Sequence, residues 1–305
     1  MTKTILAILL PCSLLAAVWS TWNGKTVGTA AGNVSTWNTK AFDPIPGNLN
    51  SWNGLTISAA PALTVTVSSF GGYTGLNCRN LATAVTCAAP TPPVSGDLIV
   101  VETYHATSRT ATTQTTDTAS NTFNCGTASA VCDGQNAAPT NSGCLPTAGS
   151  TPSQVLCRTF TKMATSPASY SVTATCYLTG TVTTAYTVVH VYMVHVSSGT
   201  IPALAADQFA ANDVTGSSAT LTTVPSVTTT TANQFLISAL SDDDSGLNTP
   251  ASGFTKGECH NYSTSNAGGC EQYRTVTSTG TYSSGGTTVA TWNNYRLDLS
   301  SYKIQ

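Results

Sequence analysis

Three acids in this chain are placed where acid–base chemistry could use them. Glu102 sits inside the run Leu98-Ile99-Val100-Val101-Glu102-Thr103-Tyr104-His105, and burial among such neighbours would raise a carboxyl pKa. Glycoside hydrolysis needs two carboxylates flanking the scissile bond, and Glu271 or Asp298 could supply the second. A secreted, glycoside hydrolase-like carbohydrate-active enzyme is therefore one reading, although no further acid follows Glu102 within its own run. Serine-based hydrolysis lacks its signature, because no Gly-x-Ser-x-Gly elbow occurs. The candidate bases are His105, His190, His195 and His260. His190 and His195 are five apart, which on a strand points them to opposite faces, one of them inward, and argues against a shared metal site.

Two further groups could hold a ligand. Asp242, Asp244 and Asn248 offer hard oxygens of the kind Ca²⁺ takes. Their spacing misses the calcium-loop pattern, and the plainer expectation is an acidic turn ending the run Gln234–Leu240. No metal or other cofactor is expected. Aromatic rings stack on sugar C–H faces while polar neighbours bond the hydroxyls. Trp292 and Tyr295 with Asn293 form one candidate platform, Tyr262 and Tyr273 another. The plainer alternative for all of them is the core or edge of a sheet.

These residues must be held by strands. Only 8% of the 305 residues are charged, with a net charge of −2, where a typical soluble domain carries about 25% charged residues. Serine and threonine fill the gap, at roughly 29% of positions against ordinary usage. Threonine and valine favour strands because a branched Cβ is stiff and packs well on a pleated surface. Eleven scattered Lys and Arg make no basic stripe, so nucleic acid is not an expected partner.

The first twenty residues resemble a secretory signal peptide, with Lys3, an apolar stretch from Thr4 to Trp19, and small residues before a cleavage point after Ser20. Contact with a membrane is then only transient. Cysteines in an exported chain read as disulfides. Cys78–Cys87 and Cys259–Cys270 are the nearest-neighbour pairs. Cys125, Cys132, Cys144, Cys157 and Cys176 form an odd set whose pairing the sequence leaves open. Residues 21–58 carry Trp22-Asn23-Gly24, Trp37-Asn38-Thr39 and Trp52-Asn53-Gly54 at a spacing of fifteen. Each unit reads as a short strand leading to a turn in which φ > 0 is cheap. The units resemble short Trp-Asn-Gly repeats found near the starts of bacterial exported and phage-tail proteins, and a stalk or spacer is the expected role.

Residues 59–305 read as one disulfide-stapled β domain. The strand-like runs include Asp97–His105, Val155–Lys162, Ala185–Val196, Ala219–Thr223, Gln234–Leu240, Tyr273–Thr277, Thr287–Trp292 and Tyr295–Tyr302, with Gly, Pro, Asn and Ser clusters between them. About ten strands without a helical period predict an all-β fold, a two-sheet antiparallel β-sandwich of jelly-roll type. Both faces of the Leu98 run are partly apolar, as in a central strand. Gly96-Asp97-Leu98-Ile99-Val100-Val101, Asp117-Thr118-Ala119-Ser120-Asn121-Thr122-Phe123, Thr230-Thr231-Ala232-Asn233-Gln234-Phe235 and Gly253-Phe254-Thr255 resemble a widespread family of bacterial exported β-sandwich domains, often found beside immunoglobulin-like or fibronectin-type modules. The resemblance implies a fold and no particular chemistry.

The function expected on these grounds is that of a non-enzymatic exported protein of the cell surface or extracellular space. Its role would be adhesive, binding or structural, with an extracellular or cell-surface polysaccharide, or further copies of itself, as partner. The alternatives are the glycoside hydrolase-like enzyme and a phage-tail or appendage subunit.

Overall fold

The computed structural model describes short strand pairs within 21–56 and then residues 63–71, 79–80, 84–106, 111–125, 145–146, 154–178, 186–197, 199–202, 205–242, 246–263 and 266–304. The chain divides into two compact units, Met1–Ala62 and Leu63–Gln305. In the first unit each Trp repeat makes a minimal antiparallel pair: Trp22 opposes Lys25, Trp37 opposes Lys40 and Trp52 opposes Leu55. Asn23-Gly24, Asn38-Thr39 and Asn53-Gly54 are the intervening dipeptides, the composition two-residue hairpins favour.

The second unit is all-β. Its strands are β1 (Val65–Gly71), β2 (Ala84–Ala88), β3 (Leu98–Ala106), β4 (Ala111–Asp117), β5 (Gln154–Lys162), β6 (Ser171–Leu178) and β7 (Tyr186–Val196), then β8 (Ala206–Thr220), β9 (Ser226–Thr228), β10 (Gln234–Asp242), β11 (Leu247–Pro250), β12 (Thr255–Ser263), β13 (Asn266–Val276), β14 (Thr281–Ser283) and β15 (Gly286–Lys303). A central sheet has the order β5-β3-β7-β1, and a three-stranded outer sheet the order β4-β6-β2. A second large sheet runs β8-β15-β10-β13-β12, with β11 also paired to β15, and β9 and β14 form a separate ribbon. Every pairing is antiparallel.

The all-β antiparallel sandwich is therefore the architecture, with more layers than the two sheets expected. The period-2 alternation of β3 explains why. Ile99 and Val101 enter a core with Val172, Ala174 and Phe123 beneath the outer sheet. Leu98 and Val100 enter a different core with Phe235, Ile237 and Tyr302 of the second large sheet. A strand with apolar side chains on both faces needs a cover on each, so the central sheet is sandwiched. The second large sheet does the same on its far side, where Leu236 and Leu299 pack with Val227 and Val276.

Some sequence boundaries shift. The runs Thr287–Trp292 and Tyr295–Tyr302 are one continuous strand, β15. Ala219–Thr223 is only the end of β8, which starts at Ala206. Tyr273–Thr277 is the last part of β13, so Cys259 and Cys270 join two adjacent strands rather than closing a polar loop.

The two large sheets also have the same plan. The order β5-β3-β7-β1 is matched by β13-β10-β15-β8, and the pair β6–β2 by β14–β9. Positive-φ residues Gly96 and Asn233 stand two places before Leu98 and Phe235, which enter the same core from β3 and β10. On this alignment Glu102 corresponds to Ala239. Arg158, opposite Glu102, corresponds to Glu271, opposite Ala239. The second unit is thus two similar β halves with their large sheets face to face.

Candidate functional site

Glu102, Glu271 and Asp298 come together, and they do so inside the double core. Glu102 opposes Arg158 on one side and His190 on the other within the central sheet. The Arg158 guanidinium donates through Nε to Glu102, through Nη2 to Asp298 at 2.8 Å and through Nη1 to Ser300 at 2.6 Å. Asp298 also accepts the Ala239 backbone N–H at 2.9 Å. Glu271 lies 2.8 Å from His190 Nδ1 and accepts the hydroxyls of Tyr104 and, at 3.0 Å, Tyr192. The Tyr192 oxygen in turn accepts the Glu258 backbone N–H at 2.8 Å.

Two glycines make this arrangement possible. A Cβ at Gly269 would lie 2.5 Å from the Tyr104 ring, and one at Gly257 would lie 2.2 Å from the Tyr192 oxygen. Both tyrosines reach Glu271 because strands β12 and β13 carry bare backbone where the rings cross.

The electrostatics follow from burial. Glu102, His190 and Glu271 are 0% exposed and Asp298 1%. Burial pushes the Glu102 carboxyl up to about 8, Arg158 opposing and the negative charges of Asp298 and Glu271 adding to the rise. Burial likewise lifts Tyr104 and Tyr192 well above the ordinary phenol range, with Glu271 reinforcing it. Arg158 pays desolvation yet is held more firmly protonated than usual by Asp298 and Glu102. One guanidinium faces two carboxylates, and burial makes Glu102 the acid that holds its proton to higher pH than usual. Glu102 Oε2 and His190 Nε2, on directly opposed residues, are buried atoms left without a hydrogen-bond partner.

The three acids expected for hydrolysis thus share a site that has no surface for a substrate. Their groups are spent on Arg158, His190, Tyr104, Tyr192 and Ser300, and the result is a buried polar clamp between two sheets. The expectation of a raised Glu102 pKa and of His190 and His195 on opposite faces is met. Of the tyrosine pair, Tyr273 is half-buried and packs edge-on against Tyr192 and close to Phe235, between the sheets. Trp292, Asn293 and Tyr295 lie on β15 and Tyr262 on β12, and their side chains fall outside the described residues. Asp242 ends β10 and Asn248 is exposed on β11, while Asp244 falls outside the described residues. No group of three or more potential metal ligands occurs among the described residues.

Cys259 and Cys270 form the expected disulfide, with Cα atoms 4.1 Å apart on opposed residues of β12 and β13. Cys87 and Cys157 are also disulfide-bonded. The signal-like segment, Cys78, Cys132 and Cys144 fall outside the described residues, as do the side chains of Cys125 and Cys176.

Open surface lies elsewhere, at the end of the central sheet where β3 begins. A cleft of about 240 Å³ is lined by Asp97, Lys162, His195 and Thr200 among others. A second, of about 610 Å³, shares Ser95, Gly96 and Lys162 with it and adds Asn121, Thr122 and Thr161. The turn after β4 builds one wall. Asp117 accepts the N–H groups of Ala119 and Asn121, Ser120 takes φ 57°, and Phe123 drops into the core. Tyr170 donates to the same carboxylate at 3.0 Å. In the smaller cleft, buried Asp97 accepts the Val94 N–H at 2.8 Å and lies 2.7 Å from His195 Nδ1. The His195 side chain is 47% exposed. Sequence reasoning missed this pair. Its only local signal was an acid directly after a turn glycine, Gly96-Asp97, ahead of a strand.

Comparison with family models, with curated proteins and with solved structures finds no match.

Proposed function

We propose that this chain is an exported protein of the cell surface or extracellular space that works by binding, without catalysis, and that a polysaccharide is what it binds. The observation that carries this reading is the fate of the three acids. Glu102, Glu271 and Asp298 are sealed between two sheets, so the enzyme reading loses its residues, while the open clefts are lined by hydroxyls and amides suited to a polyol. Low charge, abundant threonine and disulfides, one of them joining adjacent strands, support a life outside the cell, where proteases sample open states. The alternation of successive strands β1 to β7 between the central and outer sheets supports jelly-roll winding for the first half. A structural, self-associating role is the second reading, favoured by β8, a 15-residue strand at one end of its sheet whose edge could template strand addition.

Co-sedimentation of the purified protein with cellulose, chitin, xylan, pectin, peptidoglycan and intact cells, alongside assay of reducing-sugar release, tests all three. Selective retention without release is the expected result. Release that Glu102→Gln abolishes while retention persists would restore the enzyme. Absence of retention together with higher-order species would move the weight to a structural subunit.

A further inference from the structure

We infer that the two adjoining clefts at the start of β3 form one binding groove for an acidic polysaccharide, with Lys162 and His195 receiving its anionic group. The inference rests on the binding reading above and names the ligand class.

Three features of the groove lead to it. Lys162 lines both clefts and has no carboxylate partner among the described residues. A cation kept unpaired beside a concave, hydroxyl-rich surface is available to an incoming anion. His195 is the second feature. Buried Asp97, itself fixed by the Val94 N–H, holds Nδ1 and so leaves Nε2 for the solvent side. Asp97 and Lys162 are the other titratable groups lining that cleft. The third feature is the remaining lining. Ser120, Thr122 and Asn124 in the larger cleft bring hydroxyls and an amide and no formal charge, which matches sugar hydroxyls along a chain better than a compact multivalent anion. The ligand chemistry is a sugar polymer bearing one anionic group per binding register, carboxylate or sulfate.

The probes are polygalacturonate, its fully methyl-esterified form, dextran sulfate and unmodified dextran, tested on the full chain by retention and by affinity electrophoresis. Binding to polygalacturonate with at least a tenfold loss on the methyl ester is expected, together with weakening as salt is raised. Binding to dextran sulfate but not polygalacturonate assigns the group as sulfate instead. Lys162→Ala and His195→Gln should each weaken binding at least threefold, and together at least tenfold, with the unfolding midpoint unchanged. His195→Gln is chosen because an amide can still donate to Asp97. Retention on neutral polysaccharides that neither variant alters leaves the binding function standing and overturns this groove. Binding to polygalacturonate that survives both substitutions overturns it too, and no retention on any polysaccharide removes groove and function together.

Discussion

At the scale of residues, the central question is what a glutamate gains by sitting beside an arginine that is already paired. Arg158 serves both Glu102 and Asp298, and burial holds the Glu102 carboxyl up to about 8. The sign of the pH effect follows. Between the ordinary glutamate pKa and 8 the unfolded chain has lost the proton that the folded chain keeps, so rising pH draws the equilibrium toward unfolding. The contribution of Glu102 is fully present below about pH 4.5 and lost as pH passes 8. Glu102→Gln keeps an acceptor for Arg158 and cannot ionise. Its melting midpoint should match the parent near pH 5 and exceed it by several degrees at pH 8.5. A constant offset between the two proteins across that range would refute a neutral Glu102. Removing the cation is a different experiment. Arg158→Met leaves Asp298 buried and uncompensated, and a loss of about 3–5 kcal/mol is expected by denaturant titration. Adding Glu102→Leu and Asp298→Leu should recover much of it, because an apolar replacement leaves no charge stranded. Glu102 as an unusual acid was legible from its apolar run. Asp298 could be named beside it as a second acid, but Arg158 and Ser300 could not, since they lie 56 and 198 positions away and meet it only through the folded sheets.

Elements set where these residues can meet. Strands β12 and β13 form a hairpin whose bare backbone at Gly257 and Gly269 admits the two tyrosines that hold Glu271. Gly269→Ala would drive a methyl into the Tyr104 ring, displacing it from Glu271. The loss expected is about 1–3 kcal/mol, the range for overpacking a filled core, visible as a changed near-UV tyrosine signal. The Cys259–Cys270 bridge staples the same hairpin, and Leu247 donates its N–H to the Cys270 sulfur at 3.1 Å. Replacing both cysteines by alanine should cost about 2–3 kcal/mol, the range for closing a short loop, read as a lower midpoint that reducing agent shifts less than it shifts the parent's. That pair was readable from spacing. The strands around it were not, because Gly257, Gly268 and Gly269 are poor strand formers when taken alone. They are strand here through their pairing in the sheet, and Gly257 and Gly269 leave room for the cross-sheet tyrosines. Long β8 escaped for a similar reason: Asn212, Asp213 and Gly216 look like turn residues, and pairing along β15 overrides them.

At the scale of the whole second unit, the clamp has a symmetry that its residue types conceal. Arg158 and Glu271 hold equivalent positions on β5 and β13, and His190 and Asp298 hold equivalent positions on β7 and β15. The bridges cross between sheets, Arg158 to Asp298 and His190 to Glu271. Each half therefore presents the same two places to the other, with Arg158 and His190 in the first half and Glu271 and Asp298 in the second. Residue types at these places do not betray the repeat, since Arg158 matches Glu271 and His190 matches Asp298. The consequence is mutual dependence. Either half alone would expose Leu98, Val100 and Tyr192, or Phe235, Ile237 and Tyr302, and would leave buried charges facing water with no partner. Residues 63–202 and 205–305 expressed separately should each lack a cooperative unfolding transition, and mixing or co-expressing them should restore one. A half that melts cooperatively by itself would show that its outer sheet or ribbon suffices and that the clamp only joins two finished domains. Restoration that fails in Arg158→Glu and returns when Asp298→Arg is added would show that the charges choose the partner face as well as hold it.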